Sequence, residues 1–467
     1  MKSRNYNFFL AIIISSAMLI STVPSVPAKA VDSFENLAAQ TALLVEISTG
    51  TVLFEQNMNT RHPSDSLSKI MTLLLAVMAI DNGSVSIGDL VVMTDSANFD
   101  INTRSTTQNI RTGEEMYLLD LMYCAFVGNG NEACNLIAEH VSGNIDAFIS
   151  LMNAIAVELG CKNTNFTTTH GQYNENQYTS AYDQFLIFRK ALSYPLFAEI
   201  AGTYRYDTAA TNRAVSRRLI SSNTLFISTS KYYYRPCTAG IASATYEGGY
   251  SLVSLAESNG LSLVAVVLGS DALTNPDESV DLRNLSESMR LYEWGFSQFS
   301  WRTVLSSSDL VDKAPVTNGA GADFVNLRPQ SSIVALLDNE VPLEEFVRSV
   351  TIYSVANNET LFAPISSGDI LGEVTVTRNG VDYGTVLLIA NTNVSLHRLE
   401  YMKMLLHDML TATPARFLTW ILFMLISSYI ALILRYNNVR QKRLKEAKEV
   451  RERLREQRET DDRERSR

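Results

Sequence analysis

Ser66 and Lys69 stand three residues apart in the segment Arg61-His-Pro-Ser-Asp-Ser-Leu-Ser-Lys-Ile-Met-Thr. At positions i and i+3 of a helix, a hydroxyl and an amine share one face. The amine can then take the hydroxyl proton if burial and its neighbours lower its pKa. The chemistry on offer is that of an activated serine nucleophile. A bare Ser-x-x-Lys is common by chance, but here Pro63 precedes the segment and Lys69 enters an apolar run from Ile70 to Ile80. A lysine buried in such a run needs either a partner or a function. His170-Gly171 and Asp183 read as a turn former and a helix cap rather than as reacting groups. The five histidines (62, 140, 170, 397, 407) are scattered, and no His/Cys cluster has metal-ligand spacing, so neither a metal nor a cofactor is expected.

The elements that must hold Ser66 lie on both sides of it in sequence. Ala42 to Ile47 reads as a strand, Ser48-Thr49-Gly50 as a turn, and Val52 to Glu55 as the hairpin partner. The helix that begins near Ser66 is apolar nearly all round, which places it inside a core. Leu118 to His140 is largely helical with a break at Gly128-Asn129-Gly130, and Ile145 to Leu159 and Ala181 to Leu192 are further helices. Tyr250 to Ala256 and Leu261 to Leu268 read as adjacent antiparallel strands, and Leu282 to Gly295 as a closing helix. Strands at both ends with helices between predict an α+β layer fold over 35–298, with a sheet that joins both chain ends. From 301 to 395 the character changes to short β-like runs, with a hairpin signal at Asn379-Gly380, so a small all-β sandwich is expected there. Residues 396–412 would form a helical connector.

Of the 467 residues, 46% are apolar and 19% charged, which excludes wholesale disorder and predicts more than one folded unit. The net charge of −10 is unevenly spread. Residues 1–30 carry three bases and no acid, residues 435–467 carry 13 bases against 8 acids, and the body between carries 23 bases against 41 acids. An acidic body argues against a nucleic-acid partner. Lys2 and Arg4 precede an apolar run from Phe8 to Ile20, followed by Ala28-Lys29-Ala30; residues 1–30 read as a secretory signal peptide. Phe417 to Leu434 is uncharged and long enough to cross a bilayer as a helix, with Arg435, Arg440, Lys442 and Arg443 directly after it. The positive-inside rule puts the tail 435–467 in the cytoplasm, with an unknown partner if it has one, and the body outside the cytoplasmic membrane. Cys124, Cys134, Cys161 and Cys237 permit disulfides in an exported chain, although Cys124 and Cys134 fall in apolar helical patterns where buried thiols are common.

Across 35–395 the sequence resembles the serine-type D-alanyl-D-alanine carboxypeptidases, the low-molecular-weight penicillin-binding proteins of peptidase S11 type. The resemblance rests on the Leu44 to Phe54 hairpin, Ser68-Lys-Ile-Met-Thr72, Asn131-Glu-Ala133, Leu136 to His140, and Thr169-His170-Gly171. It continues through Tyr178 to Asp183, Gly249 to Val253 and Leu263 to Gly269. It implies a transpeptidase fold of the penicillin-binding and serine β-lactamase kind, an antiparallel sheet with a helical cluster, followed by the small β domain and one C-terminal transmembrane helix. It also implies Ser66 as nucleophile and Lys69 as base. The family's Ser-x-Asn triplet falls on Asn129-Gly130-Asn131, and its Lys-Thr-Gly triplet on Ala242-Ser243-Ala244, with Thr245 next on the substrate strand. A literal Ser142-Gly143-Asn144 reads as a loop between helices. The substrate implied is a peptidoglycan stem peptide ending in D-Ala-D-Ala, with β-lactam antibiotics as further ligands.

Two functions follow. Asn129 can donate and accept hydrogen bonds but cannot pass on a hydroxyl proton. Ala242 offers no cation for a substrate carboxylate, and Arg235, seven residues away, is about 23 Å off along an extended strand. In one reading Ser66 forms an acyl-enzyme and the chain trims stem peptides. In the other, the chain is a silent relative serving as a membrane-anchored envelope scaffold or peptidoglycan-binding module.

Overall fold

The structure, a computed structural model, describes residues 37–464 except 99, 104, 276, 277, 279 and 412; the side chains of 409–411, 413–416, 456, 457 and 459–464 are also outside it. The expected signal peptide, 1–30, lies outside the described residues. Two compact units divide after Ser300.

In the first unit, β1 (Thr41–Glu46) and β2 (Val52–Gln56) form the expected hairpin. Helices follow: α1 (Ser68–Asp81), α2 (Leu118–Phe126), α3 (Asn131–Ser142), α4 (Ile145–Glu158) and α5 (Ala181–Leu192). The chain then returns to the sheet as β3 (Cys237–Thr245), β4 (Gly249–Ser258) and β5 (Leu261–Ser270), and closes with α6 (Arg283–Gln298). The sheet order is β2-β1-β5-β4-β3 with antiparallel neighbours throughout, so residues from both ends of the unit pair directly, as in Leu43 with Val266.

β1 is buried at every residue because both faces of the sheet are covered. Side chains alternate across a strand. Leu43 and Val45 accordingly join the large helical core, whereas Leu44 meets α6 at Gly295. The core is built around α1, whose Ile70, Met71, Leu73, Leu74 and Leu75 are all buried. At about 1.5–3 kcal/mol for each such side chain, burying one helix on all sides is a large share of this unit's stabilisation. Ser142-Gly143-Asn144 is a helix junction: Gly143 ends α3 at φ +80°, and the Asn144 side chain accepts the Ala147 N–H at 2.8 Å to start α4. All four cysteines are free thiols, three of them buried.

In the second unit, β6 (Asp312–Pro315), β7 (Phe324–Pro329), β8 (Val347–Ile352), β9 (Ile370–Arg378) and β10 (Val381–Ala390) form one sheet in the order β6-β7-β10-β9-β8. The Phe299–Leu305 and Ile333–Asp338 strands pair separately. Both sheets contribute to a single core that includes Leu305, Leu327, Leu337, Val374 and Leu388. Asn379 and Gly380, both at positive φ, make the β9–β10 turn. α7 (Arg398–Thr411) and α8 (Thr413–Glu464) complete the unit. Within α8, Phe417–Arg455 contains a stretch apolar and long enough to cross a membrane, and its side chains are exposed.

Candidate active site

Ser66 sits in a single 3-10 turn, Asp65–Leu67, directly before α1. That turn lies against the end of β3, and the Ser66 N–H donates to Ser243 Oγ at 3.3 Å. Lys69, in the first turn of α1, is 1% exposed, and its Nζ donates to Asn131 Oδ1 at 2.8 Å and to the His170 carbonyl at 2.9 Å. Burial drives its pKa down from the usual lysine range; the fields of Cys134, Glu132 and Asp65 oppose that only partly. Asn131 Oδ1 and the His170 carbonyl each accept one hydrogen of this amine.

The partners of Lys69 come from three separate segments, each fixed locally. Asn131 opens α3 after Gly128-Asn129-Gly130, where Asn129 takes φ +57° and leaves its Oδ1 buried without a hydrogen-bond partner. Glu132, on the same helical turn, accepts the Gln108 and Ile110 N–H groups and so ties the preceding loop to α3. The loop at 168–171 is bound on both sides: Thr72 Oγ1 of α1 donates to the Thr169 carbonyl, and Thr169 Oγ1 donates to Asn135 Oδ1 of α3, both at 2.5 Å. Gly171 has φ +92°, and a Cβ there would lie 1.6 Å from the Asp65 carbonyl oxygen, so only glycine lets this loop reach the nucleophile turn.

These segments enclose a cleft of ≈ 720 Å³ lined by Ser66, Asn129, Asn131, His170, Ala244 and Thr245, with Glu247 at the strand end. His170 is pushed down to about 3 by burial and then by the charge of Lys69, and its Nδ1 accepts the Gln172 N–H, so it is a neutral imidazole protonated on Nε2. Among the described residues that line the cleft there is no lysine or arginine. Of the strand residues singled out in the sequence, Ala244 and Thr245 line the cleft and Ser243 reaches Ser66, whereas Ala242 packs with Leu225, Tyr232, Leu252 and Leu285 and is not part of the lining.

Sequence reasoning passed over three groups. His170 enters through its main-chain carbonyl, which no residue type advertises, although the Thr169-His170-Gly171 motif marked the place. Asp65 adjoins the nucleophile; its Oδ2 accepts the Thr245 hydroxyl at 2.8 Å, and burial raises its pKa to about 6. Glu247 gave no signal beyond its charge.

Residues 27–272 match the model of the Peptidase_S11 family, D-alanyl-D-alanine carboxypeptidase. The chain is 29% identical over 343 residues to D-alanyl-D-alanine carboxypeptidase DacF of Bacillus subtilis, covering 73% of this chain and 82% of that protein. It is 27% identical over 363 residues to D-alanyl-D-alanine carboxypeptidase DacA of Haemophilus influenzae, covering 75% and 84%. Penicillin binding protein 5 from Haemophilus influenzae has a similar structure, with a TM-score of 0.56 at 25% identity over 78% of this chain and 99% of that one. Penicillin binding protein 6B from Escherichia coli shares the fold at a TM-score of 0.57 and 20% identity, over 76% and 96%. With the family match spanning more than half of its length, this chain belongs to the peptidase S11 family of D-alanyl-D-alanine carboxypeptidases.

Proposed function

We propose that this chain is a serine acyl-transfer hydrolase acting on D-alanyl bonds of peptidoglycan stem peptides, held outside the cytoplasmic membrane by α8 with its tail in the cytoplasm. The observation that carries this reading is the binding of Lys69 by Asn131 and the His170 carbonyl while burial lowers its pKa. An amine so held near the serine three residues before it is the base this reading uses. Ser66 Oγ attacks the D-alanyl carbonyl carbon and its proton passes to Lys69. The C–N bond breaks, the leaving amine takes that proton, and water then cleaves the ester to restore Ser66. The Ser66 N–H supports the tetrahedral oxyanion; its 3.3 Å bond to a neutral hydroxyl is weak and yields to a charged acceptor. The apolar run of α8 and the basic residues after it supply the anchor and its orientation. β-Lactams are candidate acylating ligands of the same serine.

The scaffold reading draws on the absence of lysine and arginine from the described lining of the cleft. One experiment separates the two. The full chain in detergent micelles is incubated with an N-acyl-D-alanyl thioester and, separately, with a fluorescent penicillin, and the adduct is located by mass spectrometry. The expected result is an adduct on Ser66 that the Ser66→Ala protein lacks. No Ser66-dependent adduct from either reagent, in protein with a normal melting transition, leaves the scaffold as the function.

A further inference from the structure

The turn that carries Ser66 is closed by a bond from the Leu67 N–H to the Ser64 carbonyl at 3.0 Å. In a four-residue turn the central peptide unit can rotate while the closing bond stays, which is how the turn types differ. Here that unit joins Asp65 to Ser66, and its N–H is the donor assigned above to the oxyanion. Its two ends are both held. The Ser66 N–H points at β3, where it meets Ser243 Oγ at 3.3 Å. The Asp65 carbonyl accepts the Ser68 N–H and lies where a Cβ on Gly171 would stand.

Asp65 is 2% exposed and takes φ +43°. Aspartate and asparagine are prominent among the few residues other than glycine that hold such a φ. The side chain is anchored to the strand that the Ser66 N–H faces. Its Oδ2 accepts the Thr245 hydroxyl at 2.8 Å, and Thr245 Oγ1 accepts the Gly248 N–H at 2.9 Å, so the hydroxyl hydrogen is committed to Asp65. Gly248 also makes the room, since a Cβ there would lie 1.7 Å from Asp65 Oδ2. Ser243 and Thr245 are two apart on β3 and share a face of it. The nucleophile turn is therefore pinned to β3 at two successive points, Asp65 on Thr245 and Ser66 on Ser243. The second bond is the weak one and opens when the Ser66 N–H turns to a charged oxygen. The first then keeps the turn at its distance from the strand.

We propose that Asp65 is a positioning residue of the acyl-transfer site: through its bond to Thr245 it holds the peptide unit whose N–H supports the oxyanion. The catalytic consequence rests on Ser66 being the nucleophile; the holding of the N–H does not. The bonds made and broken are those given above, and Asp65 acts on them through the Ser66 N–H.

The test uses the full chain in detergent micelles with a fluorescent penicillin. The dependence of adduct formation on penicillin concentration separates the noncovalent constant from the acylation rate constant. Asp65→Gly keeps the positive φ without strain and loses the anchor. It should lower the acylation rate constant by about ten- to hundredfold, less than the loss of a whole oxyanion donor. The noncovalent constant should stay within about threefold, as expected for an interaction used only in the transition state. Thr245→Val removes the same bond from the other side. The double variant should be no slower than the slower single one, because there is one bond to lose. Asp65→Asn accepts the same hydroxyl and should recover the rate to within about threefold of native. A native rate in Asp65→Gly, an asparagine variant as slow as the glycine one, or single losses that multiply in the double variant each overturns the proposal. If Asp65→Gly fails to fold, Thr245→Val and Asp65→Asn carry the comparison. A second arm needs no acylation: hydrogen exchange at the Ser66 amide, read by mass spectrometry with residue resolution. Exchange should be slow in the native and Asp65→Asn proteins and about tenfold faster or more in Thr245→Val. That pattern without any Ser66-dependent adduct keeps Asp65 as the holder of this N–H and discards the nucleophile reading. Equal exchange in the native and Thr245→Val proteins overturns the proposal whatever the acylation rates.

Discussion

Asp65 carries a cost that its neighbours only partly offset. Its pKa is raised to about 6 mainly by burial; the Thr245 hydroxyl and Lys69 pull it down, and Glu247 pushes it up. A carboxyl whose folded pKa lies above its unfolded value holds its proton more tightly when folded. Stability therefore falls as pH rises from about 4 to about 6 and stays lowered above that. Asp65→Asn removes this term, and asparagine also tolerates positive φ and can accept the Thr245 hydroxyl. The variant should be more stable than the native protein at pH 7.5, by roughly 3 kcal/mol at most, with the gain fading toward pH 4. Chemical denaturation at the two pH values measures it; an equal effect at both would mean that ionisation of Asp65 is not its source. A residue kept at such a cost beside a nucleophile is the pattern expected where the site, not the fold, sets the choice of side chain.

Among the elements, the loop at 168–171 does the most positioning for its length. It touches α1 through Thr72, α3 through Asn135, and Lys69 through a carbonyl. Gly171→Ala forces a Cβ into the Asp65 carbonyl and demands positive φ from alanine. A loss of about 2–4 kcal/mol is expected, together with loss of any Ser66-dependent acylation, because the clash falls on the nucleophile turn. Thermal unfolding and adduct formation would read the two effects; an unchanged melting point would show that the loop relaxes freely. This loop also marks where the sequence stopped being legible. α1 and the paired strands announce themselves by periodicity and by Gly-containing turns, since burial is written in side-chain type. The Gly128-Asn129-Gly130 break and the Asn144 cap are visible for the same reason: positive φ and capping favour particular residues. The His170 carbonyl and the Asp65–Thr245 bond have no such signature. They depend on main-chain atoms and on a contact across 180 positions, which only the folded sheet brings together.

For the whole molecule, the catalytic-type unit and the β unit each have their own core, whereas the apolar stretch of α8 is unburied among the described residues. A chain lacking residues 413–467 should appear in the soluble fraction of a cell lysate, while the full chain should stay with the membranes through a carbonate wash. Retention of the shortened chain on membranes would assign attachment to another part, α7 being the first to examine because Leu399, Met402, Leu405 and Leu406 are exposed on it.

The structure draws α8 as one unbroken helix, Thr413–Glu464, of 52 residues. At 1.5 Å per residue it is about 78 Å long, and the part beyond the apolar run extends about 45 Å. With the apolar run spanning a membrane as proposed, a rod that does not bend at its surface is a lever. A change of only about 10° in the tilt of the span would swing its far end by about 8 Å, a displacement that a flexible tail would absorb.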